Sequence, residues 1–121
     1  MGIEKILEQS RHPHNFGIIE GYTHMRKEVG GRCKDVVEMF VKIEGRKITD
    51  ISFIGESCAI CTASASLLTD YAKGKSINKI KKMGKEDILK LMKIKLHSDK
   101  LKCAMVPLQA LQKCINNFED D

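Results

Sequence analysis

Along the centre of the chain, Val37, Met39, Val41 and Ile43 alternate with Glu38 and Lys42. Period-two alternation of this kind marks a strand with one face in a core and the other toward water. Glu44-Gly45-Arg46 supplies a hairpin turn, and Lys47 to Ile54 returns as the partner strand. An earlier strand, about Ile19 to Lys27, connects through the loop Val29-Gly30-Gly31-Arg32. The stretch from Ile18 to Ile54 thus predicts a three-stranded antiparallel meander.

On either side the period changes to that of a helix. Ile3, Ile6 and Leu7 predict a short helix over Ile3 to Ser10, ended by His12-Pro13-His14-Asn15-Phe16-Gly17. After Gly55, Ser57 reads as an N-cap for an Ala- and Leu-rich helix over Cys58 to Lys73, with Gly74 as its stop. A short element over Asn78 to Met83 follows, then a helix over Lys85 to Leu96 carrying Ile88, Leu91 and Met92. Leu108, Leu111 and Ile115 form the stripe of a last helix over Pro107 to Phe118, with Pro107 suited to its first turn. Strands first and helices afterwards predict an α+β fold, a meander with helices packed on one face. The whole of 1–121 reads as a single domain.

Composition narrows the setting. Apolar residues make up 42% and charged residues 31%, the balance of a soluble globular domain that folds without disulfides. The net charge is +5, densest over Lys79 to Lys102. With four Phe, two Tyr and no Trp, a base-stacking platform is poorly supplied, so nucleic acid is not expected as a partner. The basic excess reads as a solvated face or a surface for an acidic protein. Met1 to Arg11 is charged rather than an apolar leader, and no run approaches the roughly 20 apolar residues of a membrane span. A cytoplasmic protein is the expectation. There, five cysteines point to metal or thiol chemistry before disulfides, although some would serve as small core residues.

In the predicted layout Cys33 lies in the Gly-rich loop, Cys58 begins the long helix and Cys103 just precedes the last one. All three are expected at element boundaries. The first loop and the far end of the third strand share one end of a meander, so Cys33 and Cys58 can converge, with Cys103 brought in by a helix. A helix N-terminus at Cys58 favours an anion, and Arg32, Lys34 and Lys102 flank the other two cysteines. Asp35, two residues beyond Cys33, points the same way in extended chain. Three soft donors and one hard one suit Zn²⁺ or iron–sulfur units over Mg²⁺ or Ca²⁺. The spacing matches no compact zinc pattern, so buried, inert cysteines stand beside the metal reading at this point.

Several motifs occur together and in order: His12-Pro13-His14-Asn15-Phe16-Gly17, Gly31-Arg32-Cys33-Lys34-Asp35, Asp50-Ile51-Ser52-Phe53-Ile54-Gly55-Glu56-Ser57-Cys58-Ala59-Ile60, Ala63-Ser64-Ala65-Ser66, Gly74-Lys75 and Lys102-Cys103-Ala104. Over nearly the whole chain this resembles the U-type iron–sulfur scaffold family of IscU, SufU and the N-terminal domain of NifU. The resemblance implies an IscU-like fold and a non-catalytic scaffold. It implies assembly of a [2Fe–2S] cluster from iron and sulfur on Cys33, Asp35, Cys58 and Cys103, with Zn²⁺ able to take the same ligands. The implied partners are a cysteine desulfurase, an electron donor and apo iron–sulfur proteins, with a homodimer able to bring two sites together. Cys103 matches the sulfur acceptor of some members. The alternative is a zinc-bound persulfide relay of the sulfurtransferase kind, working with a desulfurase.

Three positions depart from that pattern. Lys102 precedes the last cysteine where bacterial IscU has histidine; it reads either as a surface lysine or as a cation paired with Asp35. Leu96-His97-Ser98-Asp99-Lys100 replaces a chaperone-docking motif. Cys61 stands where a small residue such as Ser is usual, and its spacing to Cys58 is Cys-x-x-Cys. Cys61 reads as a buried core residue or as an accessory ligand or sulfur acceptor. Cys114, about 16 Å along a helix from Cys103, reads as core. His97 is a candidate substitute ligand.

Overall fold

The computed structural model describes residues 3–30 and 34–120, with side chains through Asn116. In chain order the elements are α1 (Ile3–Arg11), β1 (His24–Gly30), β2 (Asp35–Glu44), β3 (Lys47–Glu56), α2 (Ala59–Ala72), α3 (Ile77–Lys81), α4 (Lys85–Met92) and α5 (Ser98–Asp120). The strands form one antiparallel sheet in the order β1-β2-β3, the expected meander. Glu44 pairs with Lys47 across the Gly45-Arg46 turn, where Gly45 takes a φ of 56° that side chains other than glycine resist.

Alternation in β2 places Val37, Met39, Val41 and Ile43 on the inner face, where Ile51 and Phe53 of β3 join them. The helices α2 and α5 pack across that face. Ala63, Ala65 and Ala72 of α2, with Ala104 and Ala110 of α5, are fully buried. Small residues let helix axes approach closely, and Leu68, Leu108 and Leu111 fill the space that remains. Each such leucine contributes about 1.5–3 kcal/mol by leaving water. Asp35 keeps the same phase as Val37, so the pleat turns its carboxylate toward the helices at the open end of the sheet. Phe40 points the other way and is covered by Tyr22, ring centroids 5.0 Å apart.

The N-terminal Pro-x-Asn-x-Gly element is tied to both layers. Asn15, at φ 60°, donates from its amide to Thr69 Oγ1 at 3.0 Å and to Asp70 Oδ1 at 2.9 Å. Its carbonyl accepts from Phe53 N–H at 3.0 Å, and Gly17 N–H donates to the Phe53 carbonyl at 2.9 Å. The edge of β3 is thereby paired at Phe53.

Four expectations are corrected. The first strand begins at His24, not Ile19, because Gly21 (φ 77°) turns the chain before it reaches β2. That strand continues through Val29 and Gly30, which pair with Val36 and Asp35 rather than forming loop. The helix begun at Lys85 stops at Met92, where Lys93 takes a left-handed φ of 58°. The last helix starts at Ser98, so Pro107 lies inside it rather than in its first turn. Burial of Cys103, Ala104 and Val106 against the sheet and α2 holds the helix together through a residue that would end an isolated one. No helix among the described residues is long and apolar enough to cross a membrane.

Candidate metal centre

Three elements far apart in sequence meet at the open end of the sheet. Asp35 begins β2, Cys58 is the N-cap of α2 and Cys103 lies in the second turn of α5. One carboxylate oxygen and the two sulfur atoms all lie within 4.8 Å of one another. Asp35 and Cys103 are each 1% exposed, while Cys58 is half-buried, so the group opens to solvent on the Cys58 side. Cys33 lies outside the described residues, and with it the Gly31–Cys33 part of the expected loop.

The local fold explains the convergence. Cys58 N–H donates to Asp35 Oδ1 at 2.7 Å, and the Cys58 thiol donates to Asp35 Oδ2 at 3.7 Å. The expected N-cap, Ser57, is displaced by one residue, and its hydroxyl bonds Thr62 Oγ1 at 2.7 Å instead. Asp35 takes the backbone contact at the helix start from another element. At the third corner, Ser64 Oγ donates to the Ala104 carbonyl at 2.6 Å, fixing α5 on α2 next to Cys103. Pro107 has no N–H for the carbonyl of Cys103, four residues before it. Cys103 is therefore inside a helix, not at its boundary, and it is the α2–α5 packing that brings it to the site.

The remaining sequence candidates separate. Lys102 is exposed and makes no ion pair with Asp35, whose carboxylate is engaged by Cys58. His97 is exposed and outside the donor group. Cys61 is fully buried one turn into α2, also outside the group of close donors. Burial pushes the Cys61 thiol far up, opposed by a hydrogen bond from Ser57 and reinforced by the neighbouring Asp35, Cys58 and Cys103. Cys114 is core as expected, its thiol donating to the Met39 carbonyl at 3.8 Å and pushed up to about 12 by burial. Ser64 had drawn no role from the sequence; its signal was a hydroxyl within an Ala-rich stripe.

A carboxylate and soft sulfur donors held at a half-open mouth are a donor set that suits a metal or metal–sulfur unit. The profile of the family described as "NifU-like N terminal domain" matches residues 2–121, and the chain belongs to that family. It is 38% identical over 71 residues to "Iron-sulfur cluster assembly scaffold protein IscU" of Streptococcus pyogenes serotype M1, a match covering 59% of this chain and 44% of that protein. Identity to "Iron-sulfur cluster assembly enzyme IscU" of Drosophila melanogaster is 32% over 120 residues, covering 96% of this chain and 77% of the relative. The "Zinc-dependent sulfurtransferase SufU" of Bacillus subtilis is 29% identical over 131 residues, covering 94% and 88%. In fold, the N-terminal part of a nitrogen-fixing NifU-like protein from Brucella abortus superposes with a TM-score of 0.83 at 16% identity, covering 98% of this chain and 94% of the other.

Proposed function

We propose that this chain is a scaffold on which an iron–sulfur cluster is assembled and from which it is passed to apo-proteins. The observation that carries the reading is the meeting of Asp35, Cys58 and Cys103 from three separate elements, within 4.8 Å, in a chain of this family. Cys33, two residues before Asp35 in the sequence, is the fourth ligand of the proposed set. The cluster is cargo of the [2Fe–2S] type, built from iron and from sulfur supplied by a cysteine desulfurase, with electrons from a separate donor. The chain acts as one domain in the cytoplasm and catalyses no turnover of its own. Asp35 is the labile ligand, since a hard carboxylate holds iron less firmly than a thiolate does.

A second reading, zinc held by the same residues in a sulfur relay, is favoured by the name of the Bacillus subtilis relative and by a donor set that also suits tetrahedral Zn²⁺. Anaerobic reconstitution with iron, sulfide and a reductant separates the two. The scaffold gives a brown protein with about two irons per chain, or per site if two chains share one. Asp35→Ala retains the cluster and releases it more slowly to an apo-ferredoxin. Failure to form any cluster, together with stoichiometric zinc and strong stimulation of a desulfurase, would establish the relay instead.

A further inference from the structure

Cys58 and Cys61 stand one turn apart at the start of α2 with opposite exposures. Cys58 caps the helix and is the one member of the described donor group that reaches solvent. Cys61 is fully buried behind it. Thr62 N–H already donates to the Cys58 carbonyl at 2.9 Å, so the turn joining the two cysteines is closed. Side chains three residues apart on a helix have Cβ atoms about 5–6 Å apart, and a disulfide needs about 3.5–4.5 Å. The difference, about 1–2 Å, is within reach at a cap, where the backbone has not yet taken helical angles. Cys61 is not among the close metal donors, so a bridge to it consumes one ligand of the site rather than two.

We propose that Cys58 and Cys61 form a dithiol that reduces incoming sulfur to sulfide inside the chain. The inference rests on the reading of the protein as an acceptor of persulfide sulfur. Cys58 Sγ first attacks the outer sulfur of a low-molecular-weight or protein persulfide. The donor's S–S bond breaks, the donor leaves as its thiol with the Cys58 proton, and Cys58–S–SH remains. The Cys61 sulfur then attacks Cys58 Sγ. The bond from Cys58 Sγ to the outer sulfur breaks, and a Cys58–Cys61 disulfide forms. The outer sulfur departs with the bonding pair and takes the proton of the buried Cys61 thiol, leaving as hydrogen sulfide. That sulfur gains two electrons, and the two cysteine sulfurs lose them as their disulfide. An external dithiol reductant restores the pair before the next cycle. Sulfide is thus released beside Asp35 and Cys103, where the cluster is to be built.

The test uses the full chain, reduced, stripped of metal by a chelator and kept anaerobic. Glutathione persulfide is added, the excess removed, and peptides mapped by mass while free sulfide is measured. Wild type should carry a Cys58–Cys61 disulfide and little persulfide. Cys61→Ser should keep one added sulfur on Cys58 and release about tenfold less sulfide, since its proposed resolving thiol is gone. Cys103, whose sulfur lies within 4.8 Å of that of Cys58, is the competing thiol, and a Cys58–Cys103 disulfide in this variant counts against the inference. Cys61→Ala, which suits a buried position, should behave as the serine variant does. Equal retention of persulfide by wild type and both variants overturns the inference, as does a disulfide mapped to Cys33 or Cys103. Reconstitution with inorganic sulfide bypasses this step. Success there without the disulfide defeats the dithiol alone, whereas failure there in wild type defeats the scaffold reading and the dithiol with it.

Discussion

Gly55 joins the fold to the site, and replacing it by alanine is the sharpest test of the packing described. Its φ of 156° lies where L side chains are strained, and an added Cβ would stand 2.0 Å from the carbonyl oxygen of Val36. The atoms it meets are backbone, so no rotamer change relieves the overlap. Carbon and oxygen approach comfortably to about 3.3–3.6 Å, so β2 and β3 must part by more than 1 Å locally. That separation disturbs the Val36–Glu56 and Val37–Gly55 pairs. Two lost hydrogen bonds at about 1 kcal/mol each, added to backbone strain of about 1–3 kcal/mol, give about 3–5 kcal/mol. For a chain of this size the corresponding fall in Tm is about 10–15 °C.

Gly74→Ala is the control. It shares a positive φ, 86°, but nothing lies within 4 Å of the added atom. It should cost only about 1–2 kcal/mol of left-handed strain. Urea unfolding followed by far-ultraviolet circular dichroism measures both. Val36 adjoins Asp35 and Gly55 lies three residues before Cys58, so Gly55→Ala should also weaken zinc binding more than Gly74→Ala does. Equal losses of stability from the two substitutions would refute the close approach of β2 to β3 at this point.

Ser64→Ala removes a buried bond to the Ala104 carbonyl and should cost about 1–2 kcal/mol, with weakened metal retention at Cys103, read by competition with a zinc chelator. Asn15→Gly keeps the left-handed backbone but loses the bonds to Thr69 and Asp70, whereas Asn15→Ala loses both; unfolding should rank the alanine variant lower by about 1 kcal/mol. Cys114, with its thiol pushed up to about 12, should resist iodoacetamide in the native chain at pH 8 and react once urea is added, as peptide mass mapping reads. Its folded value is raised above the ordinary 9.0. Its contribution is therefore intact below about pH 9 and declines from there toward pH 12, as the unfolded chain ionises first. Cys114→Ala should flatten that alkaline loss in a pH series of urea melts.

Most of the sheet could be read from alternation, since Val37, Met39 and Val41 have one buried face and nothing else competes for them. The long α2 was equally legible from its Ala-rich stripe and the Gly74 stop. Pro107 misled because a proline at a first turn and one inside a helix share the same local signal; only burial of Cys103 to Val106 distinguishes them. Ile19 and Val29 misled in the opposite sense, the first looking like strand and the second like loop, because Gly21 and the pairing with β2 decide both. For the site, residue types suggested Asp35, Cys58 and Cys103. Their meeting depends on the packing of α2 against α5, which no local pattern records.

Pro107 has a mechanical consequence for the helix it interrupts. Cys103 separates a first turn that is exposed apart from the half-buried Leu101, Ser98 to Lys102, from the segment Ala104 to Ile115, whose inner face is locked into the core. With the rung from Pro107 missing, fraying of the first turn can run up to the cysteine and stop there. Amide exchange along this one helix should then show a step near Cys103, fast before it and slow after it. The sulfur sits on that step, at the boundary between the turn that frays and the layer that stays folded.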